Sequence, residues 1–497
     1  MVIMDYQNYD GIGLANLIKQ KQVSPKELVD AAFQRLEAVN PSLNAVIRDR
    51  EQQIEKEAED MDMSQPFAGV PIVLKDISQA IKGEPLTAGA KLMKNNIAKQ
   101  DSNLVARLRQ AGFLFIGQTN TPEFGLKNIT EPELYGATRN PWNTNHAAGG
   151  SSGGSAASVA AGIVPIAGAS DGGGSIRIPA SFTGLFGLKP TRGRTPVGPG
   201  TGRQWQGASI DFALTRSVRD SAALLDLLQT FQPEAAFHIP LHSGSYIEEL
   251  TKSALPKYRV AFTTESPVGT PVSKDAETAV HRVVRWLEEQ GHEVEEKAAP
   301  IDGVRLMENY YIMNSGEISA VMSLMEKRLN RSVTADDMEI VSWVLYQAGQ
   351  NVSAAEYSRS LAEWDAAAAQ MAGFHETYDF YITPANAHPA PENEELTHSS
   401  KEIESLMNVS NLNKTAQQAM VYDMFEPSLT YTPHTQLANL TGQPAMSVPV
   451  HLADSGLPMG VQFIASKGRE DQLLQIAGQL EQSDLWLDVR MAPINRQ

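Results

Sequence analysis

Two segments rich in glycine and serine lie close together near the middle of the chain. The first runs from Gly149 to Ser155 (GGSSGGS) and the second from Ser170 to Arg177 (SDGGGSIR). Because glycine has no Cβ, backbone N–H groups in such segments can turn towards one point and bind an anionic oxygen. Serine adds a hydroxyl that attacks a carbonyl carbon once a base takes its proton. The pattern is typical of nucleophilic catalysis, of phosphate binding or of a flexible linker.

The sequence around these segments argues against a linker. They are joined by AASVAAGIVPIAGA, residues 156–169, and the second is followed by IRIPA. This apolar stretch is too short to cross a bilayer, which takes about 20 residues, so we expect it to be buried core.

Other types of site fit the motifs less well. Neither GxxxxGK[ST] nor a strand-borne GxGxxG occurs, which disfavours a nucleotide site. Two GxSxG matches occur, at Ser151 and Ser170, but a nucleophile elbow needs a strand directly before the serine and a helix directly after it. The first match follows a predicted loop, and the second is followed by three glycines where the helix should begin. The ten histidines are scattered without an HExxH motif, and cysteine is absent, so we expect no metal and no cofactor.

No histidine has a sequence context that identifies it as a catalytic base, so a lysine is the alternative base. The segment FAGVPIVLKD predicts a buried strand that ends at Lys75. An exposed lysine has a pKa near 10.4 and stays protonated at neutral pH, but burial lowers that pKa by up to several units. Lys75 is therefore the candidate base, in combination with the two serine segments.

Composition limits the partners that we expect. The chain has 497 residues, 42% of them hydrophobic and 20% charged, which is typical of a soluble globular protein. Its formal net charge is −17 and it has no dense basic run, so neither nucleic acid nor a membrane is an expected partner. The first residues lack the pattern of a secretory signal, which favours a cytoplasmic location.

Hydrophobic periodicity predicts alternating helices and strands along most of the chain. The predicted strands are 67–76, 113–119, 258–264, 292–297, 378–385, 443–450 and 459–466. The predicted helices are 23–40, 104–112, 217–231, 275–291 and 469–482, with a mainly helical region at 303–375. Residues 386–432 are polar and mixed, and we expect a long surface excursion there. No linker interrupts the pattern, which favours one large α/β domain with a layered α/β/α core.

Several of these segments resemble those of the amidase signature family. The longest is residues 149–194, and FAGVPIVLKD (67–76), NTPEFG (120–125), GATRNPWN (136–143) and LTGQPAMSVPV (440–450) fit the same family. Within it, the chain is most similar to bacterial amidases of the 6-aminohexanoate cyclic dimer hydrolase type. The resemblance implies a mixed, twisted β-sheet covered by helices on both faces in one domain, 1–497. We divide it into N-terminal helices (1–65), a catalytic core (66–230) and the remaining α/β core (231–497).

The resemblance also implies roles for particular residues. Ser175 would be the acyl-forming nucleophile, Ser151 the bridging serine, often on a cis peptide, and Lys75 the base. The backbone N–H groups of Gly172, Gly173, Gly174 and Ser175 would form the oxyanion hole.

Further residues are expected to support this site or to line it. Asp171 and Arg177 flank the nucleophile and are expected to form a buried pair, and Ser152 is expected to be a hydrogen-bonding neighbour. Three candidates for the substrate pocket are Glu123, Tyr135 and Asn314. Regions 300–350 and 386–432 are expected to select the substrate.

The function implied is hydrolysis of small linear or cyclic amides through an acyl-enzyme intermediate, by a monomer or a homodimer without cofactor. Three alternatives stay open at this point. They are the A subunit of glutamyl-tRNA amidotransferase, an esterase or urethanase of the same family, and a catalytically silent scaffold on the same fold.

Overall fold

An eleven-stranded mixed sheet forms the centre of the computed structural model, which describes residues 6–59, 61–252 and 256–496. The thirteen strands of this part of the chain are β1 Val46–Asp49, β2 Pro71–Lys75, β3 Leu114–Thr119, β4 Arg139–Asn140, β5 Asn143–Ala147, β6 Ile166–Asp171, β7 Phe186–Lys189, β8 Ile210–Thr215, β9 Arg259–Phe262, β10 Glu293–Glu296, β11 Phe380–Pro384, β12 Ala445–Leu452 and β13 Pro458–Ala465. The order in the large sheet is β1-β3-β2-β6-β8-β7-β12-β13-β11-β9-β10, while β4 and β5 form a separate hairpin.

Helices flank the sheet in this single domain. They are α1 Gly11–Lys19, α2 Pro25–Leu43, α3 Glu51–Glu59, α4 Asn103–Gln110, α5 Gly153–Ala160, α6 Arg177–Thr183, α7 Val218–Leu228, α8 Tyr246–Glu249, α9 Lys274–Glu289, α10 Gly303–Leu329, α11 Ile340–Gly349, α12 Ala354–Phe374, α13 Ser400–Met407, α14 Lys414–Tyr431, α15 Gln436–Thr441 and α16 Glu470–Glu481.

Strand β11 shows that both faces of the sheet are covered. Successive side chains of a strand point to opposite faces. Phe380 and Ile382 pack into the main core, which includes residues of α9 and α16, whereas Tyr381 packs with Met371 and Phe374 of α12. The predicted α/β/α layering is therefore confirmed.

The parallel strands β2 and β6 position the glycine- and serine-rich segments. They pair in the register Ile72 with Ile166 and Val73 with Ala167, and all of their residues are buried. Because parallel strands run in the same direction, their carboxyl ends, Lys75 and Asp171, lie at the same edge of the sheet. Helix α5 packs against β6, so the first segment reaches this edge too.

Two sequence predictions about local structure are wrong. The first 65 residues, predicted to be helical, also contain β1, a short strand that pairs antiparallel with β3 at the end of the sheet. Region 386–432 is not a loose surface excursion, because it contains α13 and α14. Helix α14 has five buried residues and packs against α10 and α11. Because region 386–432 is rich in polar residues, its composition does not indicate that these five residues of α14 are buried.

The apolar stretch 156–169 lies in α5, a turn and β6, and all of it is buried. Among the helices described, none has both the length and the apolar character that crossing a bilayer requires.

Candidate active site

Lys75 lies at the end of β2 and is fully buried. Its Nζ donates hydrogen bonds to Ser151 Oγ at 2.7 Å and to Ser170 Oγ at 3.0 Å. The sheet edge therefore brings the predicted base into direct contact with both glycine- and serine-rich segments.

Burial lowers the pKa of Lys75 to about 7, although the nearby carboxylates Asp211 and Asp171 act in the opposite direction. Burial also raises the pKa of Asp211 to about 6, and Ser78 Oγ donates to that carboxyl group at 2.5 Å. A substantial fraction of Lys75 is therefore uncharged at neutral pH, as a base must be.

The first segment turns sharply into α5. The Gly150–Ser151 peptide bond is cis. A Cβ at Gly154 would lie 2.5 Å from the backbone of Asn120, so only glycine fits this close approach. Ser152 is hydrogen-bonded to the backbone of Ser170, donating to its oxygen at 3.2 Å and accepting from its nitrogen at 3.3 Å. Ser152 thus ties the two segments together.

Ser175 lies in the second segment, two residues before the first residue of α6. It is partly exposed and lies in the wall of the same cavity as Ser151. No hydrogen bond joins its hydroxyl to any other residue in the part of the chain that the structure describes. Ser175 Oγ is therefore available to a ligand in the cavity.

The N–H groups of the second segment differ in availability. Those of Gly172, Gly173 and Ser175 donate to no acceptor within the described ranges, and all three residues line the cavity. The N–H of Gly174 instead donates to Asp171 Oδ1 at 2.8 Å. The prediction that Gly174 belongs to the oxyanion hole is wrong for this reason, and three donors remain.

Asp171 and Arg177 form the expected buried pair, with both side chains fully inaccessible. Arg177 Nη2 and Nε donate to the two carboxylate oxygens at 2.9 and 3.0 Å. Although burial favours the neutral acid, Arg177 holds the pKa of Asp171 well below its ordinary value, with help from Lys189 and Asn439. The charged Asp171 carboxylate also accepts from the N–H groups of Gly174 and Ile176, which fixes the loop.

The cavity beside these groups has a volume of about 410 Å³. Its polar wall includes Ser151, Ser170 and Ser175, and most of the remainder is apolar. The large apolar and aromatic residues of the wall are Ile77, Met93, Phe124, Leu126, Ile178, Trp205, Met307, Tyr310, Tyr311, Ile318, Val321, Met325, Phe425 and Leu429. Helices α10 and α14 supply eight of these fourteen, so parts of regions 300–350 and 386–432 do reach the cavity.

The three pocket candidates have different positions. Asn314 lines the cavity, and its Oδ1 accepts from Trp205 Nε1 at 2.7 Å. Glu123 does not line it, because its side chain is buried and accepts from the N–H of Glu339 at 2.9 Å. Burial, together with Glu339, raises the pKa of Glu123 to about 8.

Tyr135 also lies outside the cavity wall. Its hydroxyl accepts from Arg48 Nη1 at 2.6 Å and lies 3.2 Å from Thr87 Oγ1. For Tyr135 and Glu123, the prediction of a place in the pocket is wrong, because each side chain is held by neighbours behind the wall.

Sequence reasoning missed three residues of the site. Ser170 contacts Lys75 directly, and its position at the start of the second segment, straight after the apolar stretch 156–169, is the available signal. Tyr310 and Trp205 line the cavity. Nothing in the sequence pattern marks these two residues, because an aromatic residue in a helix or loop most often belongs to the hydrophobic core.

A buried lysine bonded to a serine, beside a glycine turn with free N–H groups, is typical of a hydrolase that uses serine without histidine. The family model described as Amidase matches residues 27–474. The chain belongs to the amidase signature family, and relatives of this chain are named as amidases and hydrolases.

Similar proteins support this assignment. A lipoamidase of Enterococcus faecalis is 40% identical over 96% of this chain, which spans 63% of that protein's length. A 6-aminohexanoate-cyclic-dimer hydrolase of Paenarthrobacter ureafaciens is 35% identical over 98% of this chain and 97% of its own. The solved structure of a 6-aminohexanoate cyclic dimer hydrolase complexed with substrate superposes with a TM-score of 0.90, at 33% identity, covering 99% of this chain and all of the other.

Proposed function

We propose that this protein hydrolyses carboxylic amides through an acyl-enzyme on Ser175, with Ser151 and Lys75 moving the protons. The observation that carries the proposal is the 2.7 Å hydrogen bond from a fully buried Lys75 to Ser151, in a cavity that Ser175 also lines. Neutral Lys75 accepts the proton of Ser151, and Ser151 accepts that of Ser175. Ser175 Oγ then bonds to the amide carbon.

The bond that breaks is the C–N bond. Ser151 returns a proton to the leaving nitrogen, and the amine departs. Water then attacks the ester carbon of the acyl-enzyme and gives its proton to Ser151 and Lys75. Ser151 returns a proton to Ser175 Oγ as the Ser175–acyl bond breaks and the acid is released. The free N–H groups of Gly172, Gly173 and Ser175 would stabilise the negative oxygen of both tetrahedral states, each by about 3 kcal/mol.

The substrate that fits best is a small non-peptide amide with an extended apolar portion. A cavity of about 410 Å³ is within the range of small-molecule sites, and its wall is mostly aliphatic and aromatic. Two similar proteins are named for a lipoyl amide and for a cyclic amide built from six-carbon units, which agrees with an apolar wall.

Several further predictions accompany this function. We propose a cytoplasmic enzyme that acts as a monomer or homodimer on a small-molecule substrate and needs no cofactor. Within the described ranges, no group of three or more histidine or acidic residues is placed to hold a metal ion.

Labelling with a fluorophosphonate, followed by mass spectrometry of the modified peptide, tests the proposal. We expect one adduct, on Ser175, and none on Ser170, which lies in the same cavity. The Ser175→Ala variant serves as the matched control. An unlabelled folded protein would instead favour the silent scaffold.

A substrate screen separates the remaining alternatives. We expect the purified chain alone to hydrolyse apolar acyl amides faster than the matched esters or carbamates, relative to their uncatalysed rates. Hydrolysis restricted to esters and carbamates would favour the esterase or urethanase. Activity only with glutamine, and only after addition of partner subunits, would favour the amidotransferase subunit.

A further inference from the structure

In residues 171–174 of the second segment, every backbone carbonyl oxygen accepts a hydrogen bond. Asp171 O accepts from Asn439 Nδ2 at 2.9 Å, and Gly172 O accepts from the hydroxyl of Tyr310 at 3.0 Å. Gly173 O accepts from Thr435 Oγ1 at 2.7 Å. The last one, Gly174 O, accepts from the N–H of Ile178, also at 2.7 Å.

These contacts decide where the N–H groups point. A peptide unit is planar and trans, so its C=O and the N–H of the next residue point in opposite directions. A donor that holds the carbonyl of one residue therefore turns the following N–H away from itself. Tyr310, which holds Gly172 O, thus orients the N–H of Gly173, one of the three free donors in the cavity.

The other side-chain donors to this loop serve different peptide units. Thr435 holds the carbonyl that precedes the N–H of Gly174, and that N–H is directed to Asp171 rather than to the cavity. Asn439 orients the N–H of Gly172, but it also bonds to Asp171 Oδ1 and to Arg177, so its loss would disturb the buried pair. Tyr310 is the side chain that acts on a free donor without contacting that pair.

Tyr310 is also well placed to act on the loop. It lies on α10 in the cavity wall, and a Cβ at residue 173 would come within 2.8 Å of its hydroxyl. Glycine at 173 therefore allows this close approach. Burial raises the pKa of Tyr310 well above its ordinary value, so the hydroxyl keeps its proton and remains a donor.

We infer that Tyr310 is a positioning residue for the oxyanion site, because its hydroxyl holds the Gly172–Gly173 peptide with the Gly173 N–H facing the reacting carbonyl. This inference rests on the proposed function. It also means that the helix forming the substrate wall controls one of the donors that stabilise the transition state.

The variant Tyr310→Phe tests the inference, since it removes the hydroxyl and keeps the ring. Removing a complete oxyanion donor lowers kcat by about 100- to 1,000-fold. Because the Gly173 N–H is still present but less well oriented, we expect kcat to fall by about 10-fold. KM for a short acyl amide should change by less than about twofold, because the hydroxyl acts on the transition state. The affinity for a trifluoromethyl ketone analogue should fall by the same factor as kcat.

Tyr258→Phe is the matched control. Tyr258 is buried outside the cavity wall, and its hydroxyl donates one hydrogen bond to Gln475 at 2.9 Å. We expect it to lower the melting temperature about as much as Tyr310→Phe, with kcat and analogue affinity unchanged.

Two outcomes for Tyr310→Phe would overturn the inference. One is kcat and analogue affinity both within twofold of wild type. The other is a rise in KM alone, which would make Tyr310 a substrate contact. If either outcome is found while the fluorophosphonate still labels Ser175 normally, the inference about Tyr310 fails and the proposed function stands. If wild-type protein cannot be labelled, the proposed function itself is contradicted.

Discussion

The two sides of the cavity are built in different ways. On one side, Lys75, Ser151 and the loop from Asp171 to Ser175 form a polar network held by specific hydrogen bonds, which leaves the Ser175 hydroxyl and three N–H groups free for a ligand. On the other side, α10 and α14 present aliphatic and aromatic side chains whose contacts are mainly apolar. A polar network depends on each member, because an unpaired buried group is costly, whereas an apolar wall depends mainly on total volume. We therefore expect substitutions on the polar side to stop the chemistry and those on the apolar side to change the substrate.

The largest expected effect is that of Ser175→Ala. Without the attacking hydroxyl no acyl-enzyme forms, so kcat should fall by at least about 10,000-fold. Steady-state assays with a chromogenic anilide measure this, and binding of a non-hydrolysed amide analogue, which should be nearly unchanged, checks that the site is intact. Wild-type-like turnover in this variant would refute the assignment of the nucleophile.

Lys75→Met should lower the activity of the protein and raise its stability. Activity should fall by about 1,000-fold because the base is lost. Lys75→Ala should likewise be much less active, with its remaining activity shifted to alkaline pH.

Stability should increase in Lys75→Met. Burial lowers the pKa of Lys75 to about 7, so the unfolded chain binds more protons than the folded one between pH 7 and the ordinary lysine pKa. The burial of Lys75 therefore lowers the free energy of unfolding of the wild-type protein by its full amount at and below pH 7. This cost disappears as the pH rises from 7 to the ordinary lysine pKa. We expect Lys75→Met to raise the free energy of unfolding by a few kcal/mol at pH 7, and by much less near pH 10, in urea titrations. A variant less stable than wild type at pH 7 would contradict this account.

Asp171→Asn should cost both stability and activity. It leaves the Arg177 guanidinium fully buried without its counter-charge, which typically costs about 3 to 5 kcal/mol. The loop also loses the charged acceptor of the Gly174 and Ile176 N–H groups, so we expect kcat to fall by about 100-fold. Thermal unfolding and kinetics measure the two effects, and exposed Asp30→Asn is the control. Retention of full activity would show that the pair does not shape the loop.

The smallest effect on overall catalysis is expected in the apolar wall. Val321→Trp fills part of the cavity, so it should lower kcat/KM for long-chain acyl amides by about 10-fold or more and leave short-chain amides within about threefold. Leu324→Trp, on the same helix but 57% exposed and outside the wall, is the matched control. Equal losses for both chain lengths would mean that the wall does not discriminate acyl length.

The same contrast explains what the sequence predicts. Glycine and serine at fixed spacing have few structural explanations inside core sequence, so the pattern and the family resemblance predict Lys75, Ser151 and Ser175 as catalytic residues. The positions of Asp171 and Arg177 beside Ser175 predict their buried pair. Methionine, tyrosine and leucine at helical spacing look the same in a substrate wall as in a core, so Tyr310 and Phe425 carried no signal. The structure differs from the sequence prediction at Glu123, Tyr135 and Gly174, because a sequence does not show which way a side chain or a peptide unit points.

The pH dependence of Ser175 labelling by a fluorophosphonate tests the central claim most directly, because it isolates the nucleophile and its base from substrate binding. In wild-type protein the labelling rate should rise with pH and reach half its maximum near pH 7, as Lys75 loses its proton. In Lys75→Met this rise should disappear and the rate should be low throughout the same range. A rate that rises near pH 7 in both proteins, or an adduct on a residue other than Ser175, would contradict the account.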